Sequence, residues 1–169
     1  MSDPRVMILM GSESDLDTMR SCVEVLDEYG VANEVIVASA HRTPHVVERL
    51  AHEAEGRGIK VIICAAGMSA HLAGVVAAYT ILPVIGVPME SASLKGLDAL
   101  YSIVQMPGGI PVACMGIGSH GAKNAGFTAM QILALQDTEL REKLFRYRDE
   151  LADKVAAMNR RVQQKLGRD

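Results

Sequence analysis

Apolar residues in this chain come in short runs separated by longer stretches of mixed polarity, and the spacing changes once, after Leu135. The runs predict strands at Val6–Met10, Glu34–Ala38, Lys60–Ala65, Pro83–Val87 and Pro111–Ile117. The intervening stretches carry helical periodicity and predict helices at Asp15–Tyr29, Pro44–Gly56, Ala70–Tyr79, Leu94–Val104 and Ala122–Leu135. Strands alternating with helices of this length imply βαβ units and a parallel sheet. Beyond Leu135, the residues Leu140, Leu144, Tyr147, Leu151, Val155, Met158, Val162 and Leu166 recur at helical spacing. They predict one amphipathic helix of roughly 28 residues, about 42 Å long. A domain of this size has a radius of gyration of about 15 Å. The helix is therefore expected to overshoot its own sheet and to pack its apolar stripe on another subunit, the alternative being packing on its own domain alone.

The expected architecture is a three-layer α/β/α, flavodoxin-like domain with a five-stranded parallel sheet, residues 1–136, followed by a C-terminal amphipathic helix, residues 137–169. Composition agrees. Of the 169 residues 49% are apolar, yet aromatics are only 4% and Trp is absent. The core must be built from Val, Ile, Leu, Met and Ala, as suits parallel strands covered on both faces. Net charge is −3, so no basic surface points to nucleic acid or an anionic membrane. Cys22, Cys64 and Cys114 are widely spaced and unpaired in pattern, which reads as reduced core thiols in a cytoplasmic protein. The N-terminal Met1-Ser2-Asp3-Pro4-Arg5 runs straight into Val6–Met10, too short a run for a signal segment. From Val61 to Met89 there is no Asp, Glu, Lys or Arg. Gly67, His71, Gly74, Pro83, Gly86 and Pro88 interrupt that stretch, so it reads as a buried strand-helix-strand unit and not as a membrane span.

Candidate chemistry gathers where strands end and helices begin. Ser39-Ala40-His41-Arg42-Thr43-Pro44 follows the second strand. It sets an imidazole, the side chain that exchanges protons near neutral pH, beside a forked permanent cation. Pro44 admits a helix starting there but not earlier, which breaks the i,i+4 relation of His41 with His45 and removes the simplest metal reading; no acidic third ligand follows. His41 alone is either a proton carrier or a capping side chain. His45 and His52 share one helix face and are expected to be solvated. The first turn, Gly11-Ser12-Glu13-Ser14-Asp15, suits helix capping and also the binding of a phosphate at a helix terminus, with Arg42 and Ser39 at the same sheet edge. In Ala65-Ala66-Gly67-Met68-Ser69-Ala70-His71-Leu72 the small residues allow a flat ligand to approach the backbone. His71 there is either a buried neutral histidine or a second active-site histidine. Gly116-Ile117-Gly118-Ser119-His120-Gly121 has the spacing of a dinucleotide fingerprint but follows the last strand, not the first, so a packing loop or lid is expected.

Taken together, these turns, with Leu82-Pro83-Val84-Ile85-Gly86-Val87-Pro88 and Ser102–Ala113, resemble the 5-(carboxyamino)imidazole ribonucleotide mutase family of purine biosynthesis, from about Val6 to Leu135. The resemblance implies a flavodoxin-like subunit, a homo-octamer and active sites at subunit contacts. It implies transfer of a carboxylate from the exocyclic amine to ring carbon four of an aminoimidazole ribonucleotide, with no ATP, metal or organic cofactor. By matching position, His41 would be the catalytic histidine and His71 would stand beside the reacting centre. Ser14, Ser39 and Arg42 would hold the 5′-phosphate, Asp15 the ribose hydroxyls, and Ser12 and Ala40 would line the same pocket. Gly67, Ala70 and Leu72 would hold the imidazole and carboxylate.

One departure stands out. Many members read Gly-Gly-Ala-Ala-His-Leu-Pro-Gly where this chain has Gly67-Met68-Ser69-Ala70-His71-Leu72-Ala73-Gly74. A sister class that carboxylates with free carbon dioxide reads Ala-His-Lys in the second turn and Gly-Arg-Ser-Asn in the third; Arg42 and Met68-Ser69-Ala70-His71 favour the mutase class. The alternatives are that carboxylase and a flavodoxin-like nucleotide-binding module without catalysis.

Overall fold

The computed structural model describes residues 3–168; Met1 and Ser2 of the N-terminal segment, and Asp169, lie outside the described residues. The chain divides after Ile132 into two compact units. In the first unit, strands β1 (Val6–Met10), β2 (Asn33–Val37), β3 (Val61–Ala66), β4 (Val84–Pro88) and β5 (Ala113–Cys114) form one parallel sheet in the order β2-β1-β3-β4-β5. That is the flavodoxin-like order. Its helices are α1 (Leu16–Glu28), α2 (Pro44–Glu53), α3 (Leu72–Tyr79), α4 (Leu97–Val104) and α5 (Ser119–Leu133).

The sheet alternates as the strand period demands. Met7, Leu9, Ile62 and Cys64 join Val47, Leu50 and Ala51 of α2, Leu72, Ala73 and Val76 of α3, and Ala99 and Ile103 of α4 in one buried cluster. Val6, Ile8, Ile63 and Ala65 are fully buried on the other side. There α1 and α5 supply Met19, Cys22, Leu26, Ala122, Ala125 and Ala129, and Tyr29 meets Phe127 edge to face at 5.9 Å between ring centroids. The charge-free stretch from Val61 to Met89 thus forms the most buried strands and the helix between them. Among the described residues no helix is long and apolar enough to cross a membrane. Cys22 and Cys64 are free and buried; burial pushes the Cys22 thiol up to about 12 and the Cys64 thiol higher still. Cys114 is half-buried, and burial raises its thiol too.

Several boundaries differ from expectation, each for a local reason. The predicted strand at 111–117 shrinks to the two residues of β5. Pro111 has no N–H to give the ladder, and Gly118 turns the chain at φ 78, so Met115 and Gly118 donate singly to the Gly86 and Pro88 carbonyls. Helix α5 then begins at Ser119, earlier than predicted, and takes in Gly121, where a Cβ would collide with the Gly116 carbonyl. The glycine-rich loop is close packing. Met68 and the pair Lys95-Gly96 are left-handed, which delays α3 to Leu72 and α4 to Leu97.

In the second unit, α6 (Thr138–Lys165) runs 28 residues. Asp137 caps it by accepting from the Leu140 amide at 3.1 Å, and Glu139 and Lys143 pair one turn apart at 2.9 Å. Val155, Met158, Val162 and Leu166 of its stripe are exposed.

Two glycines set how closely helices approach. A Cβ on Gly126 of α5 would lie 2.6 Å from Val25 Cγ1 of α1. One on Gly86, in the middle of β4, would run into Ile103 Cγ2 and come within 3.1 Å of Val112 Cγ1. Gly86→Ala is expected to lower the unfolding free energy by about 1–3 kcal/mol through overpacking, measured by urea denaturation. Adding Ile103→Leu, which removes the crowding β-branch methyl Cγ2 at unchanged side-chain volume, should restore part of the loss. Equal midpoints for Gly86→Ala and wild type would show that α4 gives way freely.

Candidate active site

The strand order reverses between β1 and β3, and ligands of open parallel sheets bind outside the carboxyl ends of strands at such a point. A cleft of about 710 Å³ opens there. Four turns line it: Gly11–Asp15 after β1, Ser39–Arg42 after β2, Ala66–Leu72 after β3, and Met89–Ala92 after β4. A larger groove of about 870 Å³ lies at the other end of β4 and β5, lined mainly by apolar side chains with His52, Glu55 and Tyr79 at its edge. Size favours that groove, but the polar and titratable groups converge on the smaller cleft.

The β1 turn is built by reciprocal capping. The Ser12 amide donates to Asp15 Oδ2 at 3.1 Å, and the Ser14 amide donates to Ser12 Oγ at 3.3 Å. The Ser14 hydroxyl also donates to Ser12 Oγ, at 2.9 Å. Glu13–Asp15 form a 3₁₀ turn that leads directly into α1, so the positive end of that helix faces this turn. Asp15 is half-buried. Burial raises its carboxyl above the usual value, and the Ser12 and Gly11 amides offset part of the rise.

The β2 turn is held by Thr43, to which the sequence reading gave no role. The Ser39 amide donates to Thr43 Oγ1 at 3.0 Å, the Thr43 hydroxyl donates back to the Ser39 carbonyl at 3.1 Å, and the Arg42 amide donates to Ser39 Oγ at 3.2 Å. Pro44 starts α2 as expected. The turn so fixed sends two side chains across the end of β1. Arg42 Nη2 donates to the Gly11 carbonyl at 3.3 Å. His41 reaches further, to the turn after β3, where its Nε2 lies 2.8 Å from His71 Nδ1 with the rings 75° apart. One nitrogen of that pair must carry the hydrogen while the other accepts it.

His71 is therefore not buried; it is exposed at the head of α3 and engaged by His41. His45 and His52 are exposed on α2 as expected, with His52 also edge to face with Tyr79. Ser12, Ser14, Asp15, Ser39, Ala40, Arg42, Gly67 and Leu72 all line the cleft; Ala70 is buried behind it and does not. Sequence reasoning missed Met89, Glu90, Ser91 and Ala92. The signal was available, because they follow the fourth apolar strand and so stand at the same end of the sheet. It also assigned no role to Met68, which is 69% exposed at φ 55. That left-handed backbone costs a non-glycine residue about 1–2 kcal/mol.

The cleft thus combines hydroxyls, a helix terminus and a guanidinium, which suit a phosphate, with a hydrogen-bonded histidine pair, which suits proton transfer. The AIR carboxylase family pattern matches residues 5–154. A Vibrio vulnificus protein named N5-carboxyaminoimidazole ribonucleotide mutase is 52% identical over 153 residues, 90% of this chain and 95% of its own. A Thermotoga maritima protein of the same name is 48% identical over 161 residues, 95% of this chain and 93% of its own. Among solved structures, the crystal structure of Treponema denticola PurE aligns with a TM-score of 0.84 at 32% identity, covering 98% of this chain and 99% of that one. With the family pattern and these relatives running along nearly the whole sequence, the chain belongs to the AIR carboxylase family.

Proposed function

We propose that this chain is an N5-carboxyaminoimidazole ribonucleotide mutase of purine biosynthesis, moving a carboxylate from the exocyclic amine to ring carbon four. The observation that carries the reading is the 2.8 Å contact of His41 with His71 in the cleft that also holds Arg42 and the β1 turn. The relatives' names supply the substrate class.

The chemistry divides into two balanced halves. The N–C bond of the carbamate breaks as the amine nitrogen takes a proton, releasing carbon dioxide. Ring carbon four then forms a bond to that carbon dioxide and gives up its own proton. One proton is consumed and one returned, so no ATP or redox partner is needed. His41 donates the first and receives the second, and His71 positions its ring and tautomer. Ser14, Ser39 and Arg42 hold the 5′-phosphate with the α1 terminus, Asp15 accepts from the ribose hydroxyls, and Ser12 and Ala40 complete that side. Gly67 and the backbone of His71 and Leu72 receive the imidazole and carboxylate. The enzyme acts in the cytoplasm, in keeping with its free thiols, and as a homo-oligomer, an octamer, which the exposed stripe of α6 supports.

His41→Asn is expected to lose about 10²–10⁴-fold in turnover with an unchanged circular dichroism spectrum, assayed on the carbamate without ATP or added metal. A variant that kept the wild-type rate would overturn the assignment. Turnover of free aminoimidazole ribonucleotide plus bicarbonate in preference to the carbamate would instead identify a carboxylase. Tight ribonucleotide binding with neither reaction would identify a binding module.

Asp15→Asn separates stability from function. The folded-state carboxyl titrates above its unfolded value, so the stability belonging to its neutral form is full below about 3.8 and is lost as pH rises through the folded value. An amide keeps the acceptor for the Ser12 amide without the charge. The variant should melt no lower than wild type at pH 7, and any gap should close as the pH is lowered through the folded value. Its KM should rise at the same time. A lower melting temperature at pH 7 would show that the charge stabilises the turn.

Assembly is checked by light scattering: wild type should show eight times the mass of one chain, and Val155→Glu with Val162→Glu a smaller mass.

A further inference from the structure

Thr43 does not line the cleft, yet it is bonded to the segment that carries Ser39, His41 and Arg42, which do. It immediately precedes α2, where a threonine hydroxyl ordinarily accepts from the first amides of the helix. Here the hydroxyl makes no such bond. It is turned back to Ser39, accepting from the Ser39 amide at 3.0 Å and donating to the Ser39 carbonyl at 3.1 Å. The Thr43 amide donates to the same carbonyl at 2.9 Å. These bonds close a ring from Ser39 to Thr43 whose other members are Ala40, His41 and Arg42.

Both ends of the ring are anchored. Ser39 follows Ala38, a buried residue whose amide donates to the Met10 carbonyl at 2.9 Å and so continues the ladder between β2 and β1. Thr43 opens the first turn of α2, where the Val46 and Val47 amides donate to its carbonyl at 3.0 and 3.3 Å and Val47 is buried in the core. The rings and forks of the site project from the segment held between those ends. The Arg42 amide donates to Ser39 Oγ at 3.2 Å, Arg42 Nη2 reaches the Gly11 carbonyl at 3.3 Å, and His41 Nε2 lies 2.8 Å from His71 Nδ1. His41 and Arg42 are exposed, so core packing does not orient them. The Thr43 hydroxyl both accepts and donates within the ring; serine keeps both capacities, and valine has the shape of threonine with neither.

We propose that Thr43 is a positioning residue: by closing the ring on Ser39 it sets His41 against His71 and directs Ser39 and Arg42 to the phosphate, without touching the substrate. The kinetic consequence rests on the mutase reading; the geometric one does not. Misplacing a reacting group by about 1 Å can cost about 10²-fold in rate. Opening the ring disturbs a proton carrier and an anion site together, so turnover and substrate binding should weaken together. A threonine that only stabilised the fold would lower the melting temperature and leave both unchanged in the folded enzyme.

Two measurements test the proposal on the intact protein. The first follows deuterium exchange of the Arg42 amide in the unliganded chain by fragmentation mass spectrometry. That amide is bonded to Ser39 Oγ and not to Thr43, so it reports on the ring and not on the deleted contact. It should exchange several-fold faster in Thr43→Val and at the wild-type rate in Thr43→Ser. Equal rates in Thr43→Val and wild type would overturn the proposal. The second measures steady-state turnover of the carbamate at a temperature where circular dichroism shows each variant folded. Thr43→Val should lose about 10–100-fold in kcat and show a raised KM, while Thr43→Ser keeps both near wild type. Thr43→Ala should match Thr43→Val and takes its place if valine disturbs α2. Wild-type kcat and KM in the variant lacking the hydroxyl, or an equal loss in Thr43→Ser, would also overturn the proposal. A wild-type chain that turns over no carbamate, with Arg42 exchange responding as expected, overturns the mutase reading instead and leaves the ring standing.

Discussion

Burial of β1, β3 and β4 on both faces is the constraint from which the rest follows. Strands covered by helices on each side have no tolerance for charge, and the stretch from Val61 to Met89 carries none. Every group capable of chemistry is therefore displaced to where the strands stop. The order β2-β1-β3 then brings turns from three different strands to one point. Adjacent strands lie about 4.8 Å apart, so a side chain from the β2 turn must cross the end of β1 to meet one from the β3 turn. His41 makes that crossing and is met there by His71. The pair depends on register: a slip of one residue in either strand would turn one ring away.

The turns are rigid because each satisfies its own backbone. Ser12, Ser14 and Asp15 close one by reciprocal capping, and Ser39 and Thr43 close another through both amide and hydroxyl. Asp15 shows the tension in such a design. Its carboxylate closes the turn by accepting from the Ser12 amide, yet half-burial disfavours its charge.

Much of this was legible in the sequence because local chemistry and tertiary role agree there. Strand β1 is predicted to the residue, Pro44 begins α2 where its fixed φ requires, and the stripe of α6 marks a helix of the observed length. Failures fall where tertiary contacts override local pattern. The apolar run at 111–117 looked like a full strand, but an edge strand flanked by Pro111 and Gly118 pairs over only two residues. His71 sits in apolar sequence, which left burial and a place in the site both open; local pattern could not decide, and the fold exposes the ring at the head of α3. The contribution of Met89–Ala92 was hidden because no single residue type there announces chemistry. Only their position at the end of β4 does.

Cys64 gives the central sheet its own reporter. Its Cα is in register with Leu9 on one side and Gly86 on the other, its side chain has no exposure, and burial holds its thiol in the unreactive neutral form. A reagent can reach it only when the helices packed on that face lift away or the sheet opens. The rate at which that sulfur is modified in native buffer therefore counts openings of the core over β3, separate from fraying at the ends or at the surface. Because β3 runs directly on to Gly67 and His71, each such opening also loosens the base of the turn that carries one histidine of the pair.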